Sequence, residues 1–293
     1  LVPIRQLQVA AIHISEGDLE YELPAIEGSE FDGLYRDFDT MQTRLRETTE
    51  ERNRADALTK EVIGNISHDL KTPLTAIKGY AEGIMDGVAA TPERMERYVK
   101  TIHSKAVDMA GLVDELSYFT KIYQKVEDFR FAPVKASYFF AECISDMSLD
   151  LETRNIQLLY QCDVGEEVQI VIDEEKIKRV VANIVGNAVK YIQREQGLIL
   201  VSVEDEESLI RVMIRDNGKG IEKEELPFIF ERFYRTDSSR NSRTGGSGLG
   251  LAIAKKIMDE HGGRIWAESE LGKGTSIYFT LRKENEHKEE QNE

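Results

Sequence analysis

The stretch Ile63-Gly64-Asn65-Ile66-Ser67-His68-Asp69-Leu70-Lys71-Thr72-Pro73-Leu74 lies inside the longest helical pattern of the chain. It places an imidazole, a carboxylate, a hydroxyl and a proline within six residues. Apolar residues recur at helical spacing from Leu58 to Ile84, which predicts a helix through the whole stretch. Pro73 removes one backbone hydrogen bond from this helix, so we expect a kink one turn beyond His68. A single histidine on a helix does not indicate catalysis, so the meaning of His68 depends on the rest of the chain.

A second helix is predicted to return beside the first. Asp86-Gly87 ends the first helix, and Thr91 followed by Pro92 begins the next as N-cap and first-turn residue. Apolar residues then recur from Met95 to Phe119. Such a pair leaves one side of each apolar stripe exposed to water. Residues 58–121 are therefore expected to form an antiparallel four-helix bundle in a dimer.

Two shorter amphipathic helices are predicted upstream. One apolar stripe runs from Ile4 to Ile14 and another from Phe31 to Leu45, and Gly17 ends the first helix. Each helix is too short to be stable alone, so a parallel dimer with four helices is expected. The second helix should continue without a break through the charged residues 46–60 into the helix of His68.

The C-terminal half alternates between helical and extended patterns. The predicted elements are a helix over 137–151, strands over 156–160 and 168–172, a helix capped by Asp173, strands over 198–203 and 209–214, a helix over 251–260, and strands over 265–267 and 275–281. At least two strand pairs are close enough in sequence to be hairpins. This arrangement favours a mixed sheet with helices on one face rather than a doubly wound parallel sheet.

Polar residues interrupt the apolar pattern of the helix that Asp173 caps. Asn183 and Asn187 are four residues apart and share one face, with Lys190 and Tyr191 one turn further on. Buried polar groups need partners, so these amides require an explanation. An amide oxygen is a suitable neutral ligand for Mg²⁺.

Two glycine-rich turns follow that helix. Asp216-Asn217-Gly218-Lys219-Gly220 comes directly after a predicted strand, where the carboxylate can accept a hydrogen bond from an exocyclic amine and the glycines allow close backbone approach. Gly245-Gly246-Ser247-Gly248-Leu249-Gly250 opens a helix, whose N–H groups and dipole favour phosphate. The second turn is not a Walker loop, because no Gly-Lys-Ser/Thr follows, nor a Rossmann fingerprint, because it follows a loop.

In this order, the motifs resemble those of sensor histidine kinases. The matching segments are Asn187-Ala188-x-Lys190-Tyr191 (N box), Asp216-x-Gly218-x-Gly220 (G1 box), Phe230-Glu231-Arg232-Phe233-Tyr234-Arg235 (F box), Gly246-Ser247-Gly248-Leu249-Gly250-Leu251 (G2 box) and, for the H box, Ser67-His68-Asp69-Leu70-Lys71-Thr72-Pro73-Leu74. The resemblance covers residues 58–283.

The first 48 residues or so resemble the HAMP linker of membrane receptors. The resemblance rests on the spacing of Pro3-Ile4, Glu16-Gly17-Asp18-Leu19 and Glu30-Phe31. Ser29 and Asp32 depart from the family pattern, which usually has Asp and Gly there. The alternative is a generic helical hairpin.

These resemblances imply a multidomain protein. The expected domains are a HAMP four-helix bundle (1–50), a dimerisation and histidine-phosphotransfer hairpin (51–125), an α/β sandwich ATP-binding domain of the gyrase and Hsp90 type (126–283) and a disordered acidic tail (284–293). Residues 236–245 would form a mobile lid over the ATP.

The family also implies a role for each motif residue. His68 would attack the γ-phosphorus of ATP, Asp69 would accept the proton of the other ring nitrogen, and Thr72 would orient water in a phosphatase reaction. The implied nucleotide site comprises Asn187 as the Mg²⁺ ligand with Asn183 in support, Lys190 and Tyr191 along the phosphates and nucleotide, Asp216 at the adenine amine, Arg235 at the γ-phosphate, and the turn residues Gly218, Gly220, Gly246, Gly248, Leu249 and Gly250.

The implied partners are a second copy of the chain and the receiver domain of a cognate response regulator. A HAMP-like start leads us to expect a transmembrane and sensor segment directly before Leu1, so that the chain is the cytoplasmic fragment of an inner or cell-membrane protein. Three alternatives stay open: an ATPase of related fold, which usually carries Glu at the position of Asn183, a non-catalytic signalling scaffold, and a serine kinase on the same ATP fold. Whether the ATP domain of its own chain or of the partner serves His68 also stays open.

Composition narrows the remaining function classes. The net charge of −16 gives an acidic surface that repels nucleic acid, so no nucleic-acid partner is expected. Cys143 and Cys162 match no metal spacing and are expected to be reduced structural thiols. No run of 18 apolar residues is present in the sequence.

Overall fold

The structure is a computed structural model that describes residues 2–22, 31–123, 128–192, 194–235 and 247–284. The side chains of Glu51, of residues 54–62 and of His68 are also outside the description. Most of the connector between the two N-terminal helices (residues 20–29), the predicted lid at 236–245, Gly246 and nearly all of the predicted tail therefore lie outside the described residues. The chain divides into two compact units, Leu1–Ser67 and His68–Glu293.

The first unit contains helix α1 (Val2–Ser15) and the first part of helix α2 (Asp32–Met85). Gly17 has a φ of +91° and follows the end of α1, as predicted. Helix α2 is continuous over 54 residues with Pro73 inside it, which confirms the predicted run into the helix of His68. The kink at Pro73 stays a prediction.

Two polar side chains hold this unit together, and the apolar pattern did not single them out. The Tyr35 hydroxyl lies 2.9 Å from the carbonyl oxygen of Pro3, and the Gln42 amide donates to the carbonyls of Leu19 and Tyr21 at 2.9 and 2.8 Å. These bonds tie α1 and the start of the connector to α2. Apolar side chains of the predicted stripe stay exposed in one chain, namely Leu34, Met41 and Leu45.

The second unit begins with the rest of α2 and its return helix α3 (Pro92–Tyr123). The Thr91 hydroxyl accepts the Arg94 N–H at 3.3 Å, which confirms the predicted N-cap. The two helices meet where the rings of Tyr80 and Tyr98 pack edge to face with centroids 4.9 Å apart. Several apolar side chains of the hairpin remain exposed, namely Leu74, Val99, Val107 and Val113.

A five-stranded mixed sheet forms the scaffold of the C-terminal part. Its strand order is β2 (Ile156–Asp163), β4 (Gly197–Asp205), β5 (Leu209–Asp216), β7 (Gly274–Arg282), β6 (Ile265–Glu270). Strands β2 and β4 run parallel and the other pairs are antiparallel. The mixed sheet and its hairpins were predicted.

A separate two-stranded sheet was not predicted. Strand β1 (Ala132–Lys135) pairs antiparallel with β3 (Gln169–Ile172). Four residues that include Pro133 carry too little alternation to indicate a strand, and only the distant partner β3 defines the pairing.

Three helices cover one face of the large sheet: α4 (Ala136–Thr153), α5 (Glu174–Tyr191) and α6 (Gly250–Glu260). Alternate strand residues are fully buried on this face, among them Ile199, Val201 and Val203 of β4 and Ile210 and Val212 of β5. The opposite face is partly exposed, and there Trp266 stacks on Tyr278 with ring centroids 5.2 Å apart.

His261, the C-cap residue of α6, is a buried packing residue. Its Nε2 accepts the Asp173 N–H at 3.1 Å, while Nδ1 lies 2.8 Å from the Ile257 carbonyl oxygen, to which it donates. The ring also packs edge to face against Phe129 and Phe131. His261 thus connects residues 129–131, which precede β1, to Asp173 at the start of α5.

Candidate functional site

The base of the site is the last residue of β5, Asp216. Its Oδ1 accepts the N–H of Gly218 at 2.7 Å and that of Thr275 at 3.4 Å. Burial raises the pKa of this carboxyl above its ordinary value, although the two backbone hydrogen bonds partly oppose the shift. Both described hydrogen bonds of this half-buried carboxylate end on Oδ1. Its other oxygen can accept a hydrogen bond from a ligand.

Close backbone approach explains why glycines follow Asp216. A Cβ on Gly218 would lie 2.7 Å from Asp216 Oδ1 and 2.8 Å from the Tyr191 carbonyl oxygen. Gly220 has a φ of +74°, and a Cβ there would lie 2.2 Å from the Glu270 carbonyl oxygen. Any side chain at these positions would displace the Asp216 turn.

Helix α5 forms a wall of the site. Asp173 caps it by accepting the Lys176 N–H at 3.2 Å, and its apolar face, including Ile177, Val181 and Ile184, is buried. The predicted residues Asn183, Asn187, Lys190 and Tyr191 all line the cavity. The Asn183 amide donates to the Gly250 carbonyl at 2.9 Å and thereby positions the start of α6.

Two cationic side chains share the middle of the site. Burial lowers the pKa of the Lys190 ammonium, and the nearby Arg235 guanidinium lowers it further. The carboxylates of Glu115 and Asp69 oppose this shift, because each raises the pKa of Lys190. Like charges held together in a partly buried position are stabilised by an anionic ligand, so this part of the cavity suits phosphate.

The glycine-rich turn closes a further side. Gly248 has a φ of +69°, and a Cβ there would meet the Phe233 backbone at 2.8 Å. The Ser247 hydroxyl accepts the Leu249 N–H at 3.0 Å, and Leu249 is fully buried. Helix α6 begins at Gly250, so the turn presents a helix N-terminus to the cavity.

One cavity of about 1010 Å³ brings most of the predicted residues together. It is lined by Asp69 and Thr72 of α2 and by residues of the ATP-domain motifs, namely Asn183, Asn187, Lys190, Tyr191, Asp216, Gly220, Arg235, Gly248 and Gly250. Gly218 and Leu249 support the wall without lining it. Within one chain, this cavity therefore contains both Asp69 and Thr72, which follow His68 on α2, and the cationic residues Lys190 and Arg235.

Some lining residues carry no recognisable sequence signal. Glu115 reaches the cavity from α3, where it looks like any charged residue of a solvated helix. Thr275, Ile221, Ile229 and Ile277 complete the region beside Asp216. Only the fold brings these residues to the site.

The cavity fits a nucleotide, since ligand pockets typically measure about 300–1,000 Å³. Across the described residues, no group of three or more His, Cys, Asp or Glu side chains is arranged to hold a metal ion. The amide oxygen of Asn187, which lines the cavity, stays the predicted ligand for Mg²⁺. The ion would take most other ligands from phosphate and water, as Mg²⁺ usually does.

Comparison with protein families gives three matches in series. Residues 1–47 match the HAMP domain, residues 59–124 match the His Kinase A (phospho-acceptor) domain, and residues 172–285 match the histidine kinase-, DNA gyrase B- and HSP90-like ATPase. The three segments follow the chain in the order of the motifs. The chain belongs to the sensor histidine kinase family.

Two curated relatives come from Bacillus subtilis. The sensor histidine kinase WalK is 33% identical over 245 residues, which cover 83% of this chain and 40% of WalK. The sensor histidine kinase YkoH is 33% identical over 291 residues, which cover 97% of this chain and 60% of YkoH. The chain thus spans less than two thirds of the length of these relatives.

Among solved structures, histidine kinase ThkA in complex with the response regulator protein TrrA is 26% identical. The match covers 84% of this chain and 68% of ThkA, with a TM-score of 0.62. The histidine kinase AdeS of Acinetobacter baumannii shares the fold, with 21% identity, a TM-score of 0.58, and coverage of 74% of this chain and 98% of AdeS. Within the described part of the chain, no helix is long and apolar enough to cross a membrane.

Proposed function

We propose that this chain is the cytoplasmic part of a membrane-anchored sensor histidine kinase that transfers the γ-phosphoryl group of ATP to His68. The observation that carries the proposal is the shared cavity: Asp69 and Thr72 line the same space as Asn187 and Lys190. An acceptor turn and a phosphate site in one cavity are what direct phosphoryl transfer requires.

In the proposed reaction, a ring nitrogen of His68 forms a bond to the γ-phosphorus while the bond from that phosphorus to the bridging oxygen breaks, and ADP leaves. Asp69 holds the proton of the other ring nitrogen and stabilises the imidazolium that forms. Lys190 and Arg235 neutralise the phosphate charge, which is the main contribution a protein makes to such reactions. When Mg²⁺ is bound, with Asn187 as its protein ligand, it supplies further neutralisation.

Asp216 would select the adenine base. Its carboxylate accepts from the exocyclic amine, as its place in the cavity lining and its two hydrogen bonds on Oδ1 support. The turn from Gly248 to Gly250 would direct backbone N–H groups at the phosphates. Asn183 acts by holding that turn through Gly250.

The phosphoryl group would then pass to an aspartate of a response regulator. Support comes from ThkA, which was solved in complex with the response regulator protein TrrA. Thr72 would orient a water molecule that hydrolyses the aspartyl phosphate of the regulator and releases inorganic phosphate, which is a phosphatase reaction. The exposed apolar residues Val99 and Val113 of the hairpin support a homodimer, because a second copy would cover them.

Incubation with γ-labelled ATP and Mg²⁺ tests the proposal. Acid-labile label should appear on the wild type and be absent from His68→Ala, while His103→Ala, at an exposed position on α3, serves as the matched control. Asn187→Ala should reduce labelling severely. Label that persists on His68→Ala contradicts the assignment of His68, and ATP hydrolysis without any labelled protein indicates an ATPase instead.

A further inference from the structure

A carboxylate from the helical hairpin reaches the glycine-rich turn of the nucleotide site. Glu115 of α3 accepts a hydrogen bond from the Ser247 hydroxyl. Ser247 is buried, with 5% of its surface exposed, so this bond is shielded from water. The same hydroxyl accepts the Leu249 N–H at 3.0 Å, which occupies a backbone donor of the turn.

The charge of Glu115 also acts on the phosphate-binding residues. Glu115 lines the cavity together with Lys190 and Arg235, and its carboxylate raises the pKa of the Lys190 ammonium. The negative charge of Glu115 therefore neutralises part of the positive charge of Lys190 and Arg235. Less positive charge is then left to attract a nucleotide phosphate. A negatively charged ligand in the same cavity is repelled by this carboxylate.

Aromatic contacts hold the turn against α3 at this point. The Arg232 guanidinium lies 4.2 Å from the ring centroid of Tyr123, and the rings of Phe119 and Phe233 lie 6.2 Å apart. Gly248 is joined to this corner, because its carbonyl accepts the Phe233 N–H at 3.1 Å. The position of Glu115 beside Ser247 is thus part of a packed interface between α3 and the ATP domain.

We propose that Glu115 is an autoinhibitory residue that competes with the phosphates of ATP for the glycine-rich turn and its neighbouring cations. While the turn is docked on α3, Glu115 binds Ser247 and opposes phosphate binding. Bound phosphate in turn weakens the docking, because coupling between two binding events is reciprocal. This inference rests on the proposed function, since it concerns the same nucleotide site.

The competition gives a sharp expectation for Glu115→Gln. The amide keeps an oxygen that accepts from Ser247 but removes the negative charge. Titration with a non-hydrolysable ATP analogue should give a Kd lower than that of the wild type by about 5-fold or more, and the difference should shrink as salt is raised. The Kd for adenosine, which has no phosphate, should be unchanged.

Asp114→Asn provides the matched control, because Asp114 is an exposed neighbour on α3 whose loss changes the net charge equally. Its Kd should equal that of the wild type. If Glu115→Gln does not fold, as judged by circular dichroism, Glu115→Ala is titrated in its place.

The possible outcomes separate the two proposals. If Glu115→Gln binds the ATP analogue no more tightly than the wild type, the proposed competition is wrong. It is also wrong if the affinity for adenosine rises as much as the affinity for the ATP analogue. A wild type that binds no ATP analogue overturns the proposed function itself.

Discussion

The side-chain amide of Asn183 donates a hydrogen bond of 2.9 Å to the carbonyl oxygen of Gly250, which joins the middle of α5 to the first residue of α6. We therefore expect Asn183→Ala to loosen the glycine-rich turn. Loss of one partly buried hydrogen bond should lower the free energy of unfolding by about 1 kcal/mol, measured in urea. The affinity for an ATP analogue should fall several-fold.

The two asparagines of α5 should respond differently to magnesium. If Asn183 acts through Gly250, its replacement weakens nucleotide binding equally with and without Mg²⁺. Asn187→Ala should weaken binding only when Mg²⁺ is present. Loss of affinity confined to Mg²⁺ conditions in Asn183→Ala would instead favour a role beside the metal.

Asp216→Asn should improve stability and impair binding. Burial raises the pKa of Asp216 above its ordinary 3.8, so its contribution to stability is fully present only below that pH and is lost as the pH rises through the folded-state pKa. At neutral pH the ionised carboxylate thus destabilises the empty site. Asn keeps the shape without charge, so the melting temperature of the nucleotide-free protein should rise above that of the wild type.

The same substitution should weaken ATP binding about 10-fold or more, because the amide is a poorer acceptor for the adenine amine. Asp163→Asn, at the exposed end of β2, is the control and should change neither quantity. An Asp216→Asn protein that melts below the wild type, or binds ATP equally well, contradicts the roles given to the Asp216 carboxylate.

His261 should make stability depend on pH. Burial lowers its pKa below 6.5, although the Ile257 carbonyl and the carboxylates of Asp173 and Glu260 oppose the shift. As the pH falls, the His261 imidazole is therefore protonated in the unfolded chain before it is protonated in the folded protein. The stabilisation is complete above pH 6.5 and is lost as the pH falls from there through the folded-state pKa.

Urea unfolding between pH 8 and 5 measures this effect. Gln at position 261 can accept the Asp173 N–H but cannot be protonated, so His261→Gln should lose less stability on acidification than the wild type. His103→Gln, at an exposed position, should follow the wild type. Identical pH profiles for all three proteins would falsify the role of the neutral imidazole.

Local sequence patterns correctly predicted those elements that depend on residues close together in the chain. Thr91 and Asp173 cap helices because their side chains bond to N–H groups three residues away, and the mixed sheet follows from strand pairs close enough in sequence to form hairpins. The motif order correctly indicated the family. Strand β1 was missed because its partner lies more than thirty residues away.

Contacts between distant residues explain most of what the sequence could not indicate. Tyr35 is buried because its hydroxyl meets Pro3, and Gln42 because it binds the carbonyls of Leu19 and Tyr21. Glu115 enters the site only because Ser247, 132 residues later, packs against α3. In each case the residue type is common in helices, and its role depends on contacts that only the folded structure brings together.

The stack of Trp266 on Tyr278 has a practical consequence, because Trp266 is the one tryptophan of the chain. Fluorescence excited at the indole band reports on the sheet of the ATP domain alone, whereas far-ultraviolet circular dichroism is dominated by α2 and α3. Superimposed denaturation curves from the two signals would show that the helices and the sheet unfold as one cooperative unit. Separated curves would give the stability of each part without any introduced label.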